Sequence, residues 1–188
     1  VISDLDDTVI RTGVTNLLAL MRNVFFNNSH TRLPFPGVAA FYNALQNGTD
    51  KKIFNPIFYV SNSPWNLYDL LYEFFELRGI PLGPIYLRDI GLTPNYLIAS
   101  DKHKHQTIQR LLEFYPDLPF ILIGDSGEHD ADIYLDIVQS YPGRIPAVYI
   151  RDVEPQRPGT RRDRHVQEVA EQIRAAGSEL LLIPDTLV

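Results

Sequence analysis

Asp4, Asp6 and Thr8 stand at alternate positions in Val1-Ile2-Ser3-Asp4-Leu5-Asp6-Asp7-Thr8, directly behind an apolar start. Side chains on an extended segment alternate, so carboxylates two apart share a face. Where such a strand stops the chain turns, and the alternation need not continue past the edge. One carboxylate can then attack as a nucleophile while the other donates and accepts a proton. A divalent cation between them would offset their repulsion and favour the ionised forms. The same residues also fit a solvated acidic turn after a strand, so the rest of the chain has to decide.

Three later stretches do so. Tyr59-Val60-Ser61-Asn62-Ser63-Pro64 reads as a strand that ends in small polar residues and opens a helix. Ser63 is expected as its N-cap and Pro64 as its first residue. Free amides at a helix start, with the Ser61 hydroxyl, suit an anionic phosphate. Lys102 and Lys104 lie near the start of a helix that carries Ile108, Leu111, Leu112 and Tyr115 on one face. Phe120-Ile121-Leu122-Ile123-Gly124-Asp125-Ser126-Gly127 reads as a buried strand closing on a glycine-flanked aspartate, with Asp130 close behind. Each polar cluster falls just past the carboxyl end of an expected strand, where open α/β sheets place their ligands.

The elements that position these groups alternate along the chain. Strands are expected at 1–5, 56–61, 84–88, 119–124, 146–151 and 179–183, several continuously apolar, as a parallel sheet buried on both faces requires. Helices are expected near 15–26, 36–47, 64–78, 103–115, 129–140 and 162–176. The last shows Val166, Val169, Ala170 and Ile173 at helical spacing. The fold class is therefore α/β, a doubly wound, mostly parallel sheet with helices on both faces. Residues 1–188 read as a single catalytic domain, with a linker-like stretch over 153–160 before the final helix and strand.

In content and order, Asp4-x-Asp6-x-Thr8, Ser61 after a strand, a lysine, then Gly124-Asp125-x-x-x-x-Asp130 resembles the haloacid dehalogenase superfamily of aspartate-dependent phosphotransferases. Within it the chain is most similar to the catalytic domain of the actin-patch-associated phosphatidate phosphatases and their bacterial relatives. Asp4-Leu5-Asp6-Asp7-Thr8-Val9-Ile10, Thr12-Gly13-Val14, Arg22-Asn23-Val24-Phe25, Ser61-Asn62-Ser63-Pro64-Trp65 and Gly124-Asp125-Ser126-Gly127-Glu128-His129-Asp130 carry the likeness, which spans residues 1–152. Receiver domains use similar groups, but their phosphorylated aspartate ends a later strand than the acidic pair; that order is absent here.

The resemblance implies a Mg²⁺-dependent phosphatase working through an aspartyl phosphate. It makes Asp4 the nucleophile and Asp6 the general acid and base, which spacing alone leaves open. It implies Mg²⁺ held by the Asp4 carboxylate, the Asp6 backbone carbonyl and Asp125, with Asp130 supporting a metal-bound water or orienting Lys104. Ser61 and the Asn62 amide would hold the non-transferring phosphate oxygens, and Lys104 would offset charge on phosphate and Asp4. Lys104 precedes Ile108 by one helical turn and fits the family spacing; Lys102 is the alternative. Thr8 is expected to cap or brace the loop, and Asp7 either supports the site or faces solvent.

Members with small-molecule substrates usually carry a large cap, and the intervals 8–61 and 62–102 leave no room for one. An open site suits a phosphate on a bulky carrier, phosphatidate at a membrane surface or a phosphoprotein; a soluble phosphomonoester is the remaining substrate class. A degenerate domain that only binds phosphorylated ligands is a third reading, against which both Asp4 and Asp6 are present. Val14, Leu17, Leu18, Met21 and Phe25 form an apolar stripe that either packs on the core or dips into a bilayer interface.

Composition sets the outer bounds. The 188 residues have a net charge of −6, a hydrophobic fraction of 45% and no cysteine. Disulfides, thiolate metal sites and cysteine nucleophiles are excluded, and no general affinity for nucleic acid or anionic membrane is expected. No apolar run approaches a membrane span, which gives the expectation of a cytoplasmic protein, peripheral at membranes. The start without Met suggests a fragment whose N-terminal domain is missing. His103 and His105, two apart on a helix, make a poor metal pair. His129 either meets substrate or Asp130, or is a surface residue at a helix start. Arg157, Arg161, Arg162 and Arg164 are a solvated helix start or, if turned toward the site, a contact for lipid headgroups.

Overall fold

The computed structural model describes residues 1–6, 8–9, 37–49, 54–88, 96–127 and 129–184, with the backbone alone for 96–101. In chain order these form β1 (Ile2–Asp4), α1 (Val38–Asn47), β2 (Phe58–Pro64), a 3-10 turn (Trp65–Leu67), α2 (Tyr68–Arg78), β3 (Ile85–Arg88), α3 (Tyr96–Phe114), β4 (Ile121–Asp125), α4 (Asp130–Ser140), β5 (Ala147–Arg151), α5 (Arg161–Ala175) and β6 (Glu179–Ile183). The strands make one sheet in the order β3-β2-β1-β4-β5-β6. Every neighbouring pair is parallel. The chain winds outward from β1 to one edge, returns beside β1 as β4, and winds to the other edge. That reversal opens a crevice at the carboxyl ends of β1 and β4. This is the doubly wound α/β architecture expected from the sequence, and among the described residues no large cap domain covers it.

Both sheet faces are buried, which is why its strands read as apolar runs rather than alternations. Phe58, Val60 and Leu122 join Ile108 and Leu112 of α3, Ile137 of α4 and Val166, Val169 and Ile173 of α5 in one core. Ile57, Tyr59 and Ile123 turn to the other face and meet Val38 and Tyr42 of α1 and Leu71, Phe74 and Phe75 of α2. Adjacent strand residues thus serve opposite cores, as the two-residue period demands.

Several boundaries differ from expectation. The strand expected to stop at 61 runs on to Pro64, and the α-helix expected from 64 starts at Tyr68 after the 3-10 turn. Ser63 is consequently no N-cap. Its amide binds the Ser61 hydroxyl at 2.9 Å and its hydroxyl turns to Asp6, while Pro64 stays extended at φ −69°, ψ 146°. α3 begins at Tyr96 rather than near 103, so Lys102 and Lys104 lie well inside the helix. The remaining ends shift by one or two residues. The 154–159 stretch is a run of turns ending at Thr160, whose capping box with Asp163 starts α5. The expected 15–26 helix and its apolar stripe lie outside the described residues.

Candidate active site

β1 and β4 end side by side, one on Asp4 and the other on Asp125, so the topology alone brings these carboxylates to the crevice. Asp4 is buried at 1% exposure, and Asp125 and Asp130 at 0%. Lys104, also 1% exposed, reaches in from α3 with Nζ 2.9 Å from Asp4 Oδ1. It is ion-paired with Asp130 Oδ1 as well. The second Asp130 oxygen accepts the Asp125 amide at 3.2 Å, and Asp125 Oδ1 accepts the Gly127 amide at 2.5 Å. Asp130 fits because residue 124 is glycine. A Cβ there would stand 2.3 Å from Asp130 Oδ2 and 2.8 Å from its Cβ.

Three buried carboxylates around one ammonium leave excess negative charge. Burial, the largest cause, holds the Asp4 carboxyl well above the usual carboxylate range. Lys104 pulls it down, and Asp130, Asp6 and Asp125 push it up again. The Asp4 backbone is braced from the other face of the sheet. Ser3 Oγ donates to the Asp4 carbonyl at 2.7 Å. Its single proton is spent there, so the Tyr42 hydroxyl of α1 is the donor in the 2.5 Å contact between them.

Asp6 belongs to a different half of the site. It is half-buried, and its Oδ2 accepts the Ser61 hydroxyl at 2.8 Å and the Ser63 hydroxyl at 3.3 Å. Ser61 is therefore engaged with Asp6 and with the Ser63 amide, where the sequence reading had its hydroxyl and the helix-start amides facing phosphate. Asn62 stands beside them with a buried Oδ1 that has no hydrogen-bond partner among the described residues. Thr8 is buried, but its hydroxyl caps no group among the described residues. The loop is braced instead through the Thr8 carbonyl, which accepts Arg151 Nη1 at 3.1 Å. Asp7 lies outside the described residues.

The donor set can be tested for a cation. Asp4, Asp125 and Asp130 each offer an oxygen, all within 4.8 Å of one another. Both Asp130 oxygens already serve Lys104 and the Asp125 amide, so Asp4 and Asp125 are the residues that would ligate a cation directly. Asp4 Oδ2 is buried with no hydrogen-bond partner among the described residues. Such an all-oxygen set with excess negative charge fits a hard divalent cation rather than a soft metal.

The other nominated residues do not join this cluster. Lys102 is exposed, and His105 is half-buried on another side of α3. His103 bonds the Tyr86 backbone, and burial followed by Arg88 holds its imidazole below the ordinary value. His129 is exposed at the start of α4. Sequence reasoning missed the buried Arg88 and Arg151 at the carboxyl ends of β3 and β5. The signal was available: each is the charged last residue of an apolar strand, at the edge that carries the site. Nothing in the sequence marks Tyr42.

The fold and this cluster define a doubly wound α/β domain with a buried carboxylate–lysine centre at its topological switch point. Residues 1–152 match the family model of the catalytic domain of phosphatidate phosphatase APP1, and the chain belongs to that family. It is 37% identical over 153 residues to phosphatidate phosphatase APP1 of Saccharomyces cerevisiae, covering 80% of this chain and 25% of that protein. It is 32% identical over 164 residues to an uncharacterized protein of Schizosaccharomyces pombe, covering 81% of this chain and 25% of that one. The chain thus spans a quarter of the length of the curated relatives it matches. No solved structure matches it.

Proposed function

We propose that this chain is a Mg²⁺-dependent phosphatidate phosphatase domain that releases phosphate through an aspartyl phosphate on Asp4. The observation that carries the reading is the pairing of Asp4 with Lys104, Asp125 and Asp130 at the carboxyl edge of a chain belonging to this family. Asp4 attacks phosphorus and the bond to the glycerol oxygen breaks, with Asp6 delivering the proton that the leaving oxygen needs. Asp6 then takes a proton from water as the water attacks the aspartyl phosphate, releasing inorganic phosphate and restoring Asp4.

Asp4 must be ionised to attack, and its burial opposes that charge. Lys104 supplies one compensating positive charge. Mg²⁺, held by Asp4, Asp125 and the Asp6 carbonyl, would supply the rest and draw negative charge off the transferring group. Asp130 keeps Lys104 in place, and Arg151 holds the loop that carries Asp6. Ser61 positions the Asp6 carboxyl, and the Asn62 amide would hold phosphate oxygens. Substrate choice draws on the family, whose budding-yeast member is named for phosphatidate, and on an edge without a large cap among the described residues.

The test is phosphate release from phosphatidate in mixed micelles, with Mg²⁺ and with EDTA, beside a soluble phosphomonoester. Mg²⁺-dependent release that strongly favours phosphatidate is expected. Release from the soluble ester alone would keep the site and replace the substrate with a protein or metabolite phosphate.

A further inference from the structure

We infer that Tyr42 is a positioning residue for the reaction: through Ser3, its hydroxyl fixes the peptide that leaves Asp4 and so sets the nucleophile against Asp6. This rests on the reading of Asp4 as nucleophile and goes beyond it by giving a role to a side chain on the far face of the sheet. β1 stops at Asp4, and its pairing with β4 already ends at Ser3. Where the ladder runs out a side chain takes over, and Ser3 Oγ donates to the Asp4 carbonyl at 2.7 Å. The Tyr42 hydroxyl donates in turn to Ser3 Oγ at 2.5 Å. Two hydroxyls thus run in one direction, from α1 to the carbonyl of the nucleophile.

Packing accounts for the Tyr42 ring but not for its hydroxyl. Ser3 and Tyr42 are both buried, at 0% and 1% exposure. The ring meets Phe41 edge-on at 5.5 Å and Tyr59 at 6.0 Å, in the core that Val38, Leu71 and Phe75 complete. A phenylalanine would fill that space as well. Burial, the largest cause, holds the Tyr42 hydroxyl well above its ordinary value. It therefore keeps its proton and stays the donor to Ser3.

The turn that begins at the Asp4 carbonyl is held at its other end too. The Val9 amide donates to the Leu5 carbonyl at 3.0 Å, and Arg151 Nη1 to the Thr8 carbonyl at 3.1 Å. Arg151 follows Tyr149 by two on β5 and so faces the same side. There Tyr149 meets Phe41, and the Arg151 charge acts on the Tyr42 hydroxyl. One face of the sheet thus grips both ends of the segment that carries Asp6. Rotating the peptide after Asp4 would swing that segment and pull the Asp6 carboxyl off the Ser61 and Ser63 hydroxyls. Misplacing reacting groups by a fraction of an ångström costs rate more than substrate affinity.

The experiment measures kcat and KM on phosphatidate in mixed micelles with Mg²⁺ for the wild type, Tyr42→Phe, Ser3→Ala, their double variant and Tyr59→Phe, with Asp4→Asn beside them. Tyr59 is the control, a buried hydroxyl of the same core that donates to the Pro81 carbonyl at 2.8 Å. Tyr42→Phe should lower kcat roughly tenfold with KM unchanged. The double variant should fall no further than Ser3→Ala, because Tyr42 acts through Ser3, and Tyr59→Phe should keep the wild-type kcat. A wild-type kcat in Tyr42→Phe, a rise in KM in its place, an equal loss in Tyr59→Phe or additive losses would each overturn the inference. Turnover that survives Asp4→Asn would instead refute the nucleophile on which it rests. Activity on a soluble phosphomonoester alone would refute the phosphatidate reading, and the same rates on that ester would decide the role of Tyr42.

Discussion

The two halves of the site are built on opposite terms. Around Asp4 every charged group is buried and held by at least one partner on another element: Lys104 from α3, Asp130 from α4, Asp125 from β4. Around Asp6 the carboxyl is half-buried and rests on two serine hydroxyls of a single strand. The difference follows from what each half would do. A nucleophile gains from a fixed position in a charged, water-poor setting, because reorganisation is then done before the reaction. A proton carrier has to meet first a leaving group and then a water, and a half-buried carboxyl held by neutral hydroxyls can change partners. We take the β1/β4 half as the fixed charge frame and the β1/β2 half as the proton-handling one.

The largest effect that would break this division comes from Asp4→Asn. Turnover should vanish while the melting temperature does not fall, since the change removes one of the excess buried carboxylates; measurable phosphate release would sink the assignment. Lys104→Met should be next and should cost folding as well as rate. It strands Asp4 and Asp130 without their cation, a change of about 3–5 kcal/mol in a denaturant melt; a wild-type melt would show that the frame does not depend on the lysine.

Gly124→Ala is smaller and sharper. Its methyl would drive Asp130 off both Lys104 and the Asp125 amide, at about 1–3 kcal/mol of stability and a clear loss of rate. Unchanged kinetics would mean that Asp130 has slack the packing does not show. In the proton-handling half, Ser61→Ala removes a hydrogen bond to a carboxylate and should lower turnover roughly 10- to 100-fold, with little effect on melting. Ser63→Ala, whose contact is the longer one at 3.3 Å, should cost only about threefold. The reverse order of the two serines would contradict the Asp6 geometry.

The same contrast explains what could be read before folding. The fixed frame was legible because Asp4 and Asp125 end apolar strands, and a continuous apolar run closing on Gly124-Asp125 has few other readings. Lys104 was separable from Lys102 by its one-turn spacing from Ile108, although α3 starts seven residues earlier than expected. The serine strand was misread: Ser63-Pro64 satisfies the local rules for a helix start, and the pairing of Pro64 with Arg88 of β3 and the contact of Ser63 with Asp6 make those residues more strand. Arg88 and Arg151 left one local sign, a charge closing an apolar strand, but what Arg151 does comes from a distant element through its bond to the Thr8 carbonyl, and Tyr42 left no sign at all.

The central claim is that phosphate passes through Asp4. Acid quench of the chain turning over radiolabelled phosphatidate, followed by peptide mapping, tests it most directly. Label on the peptide that carries Asp4, formed and lost within one turnover, is the predicted result. Steady phosphate release with no protein-bound label, or label on another residue, would contradict it.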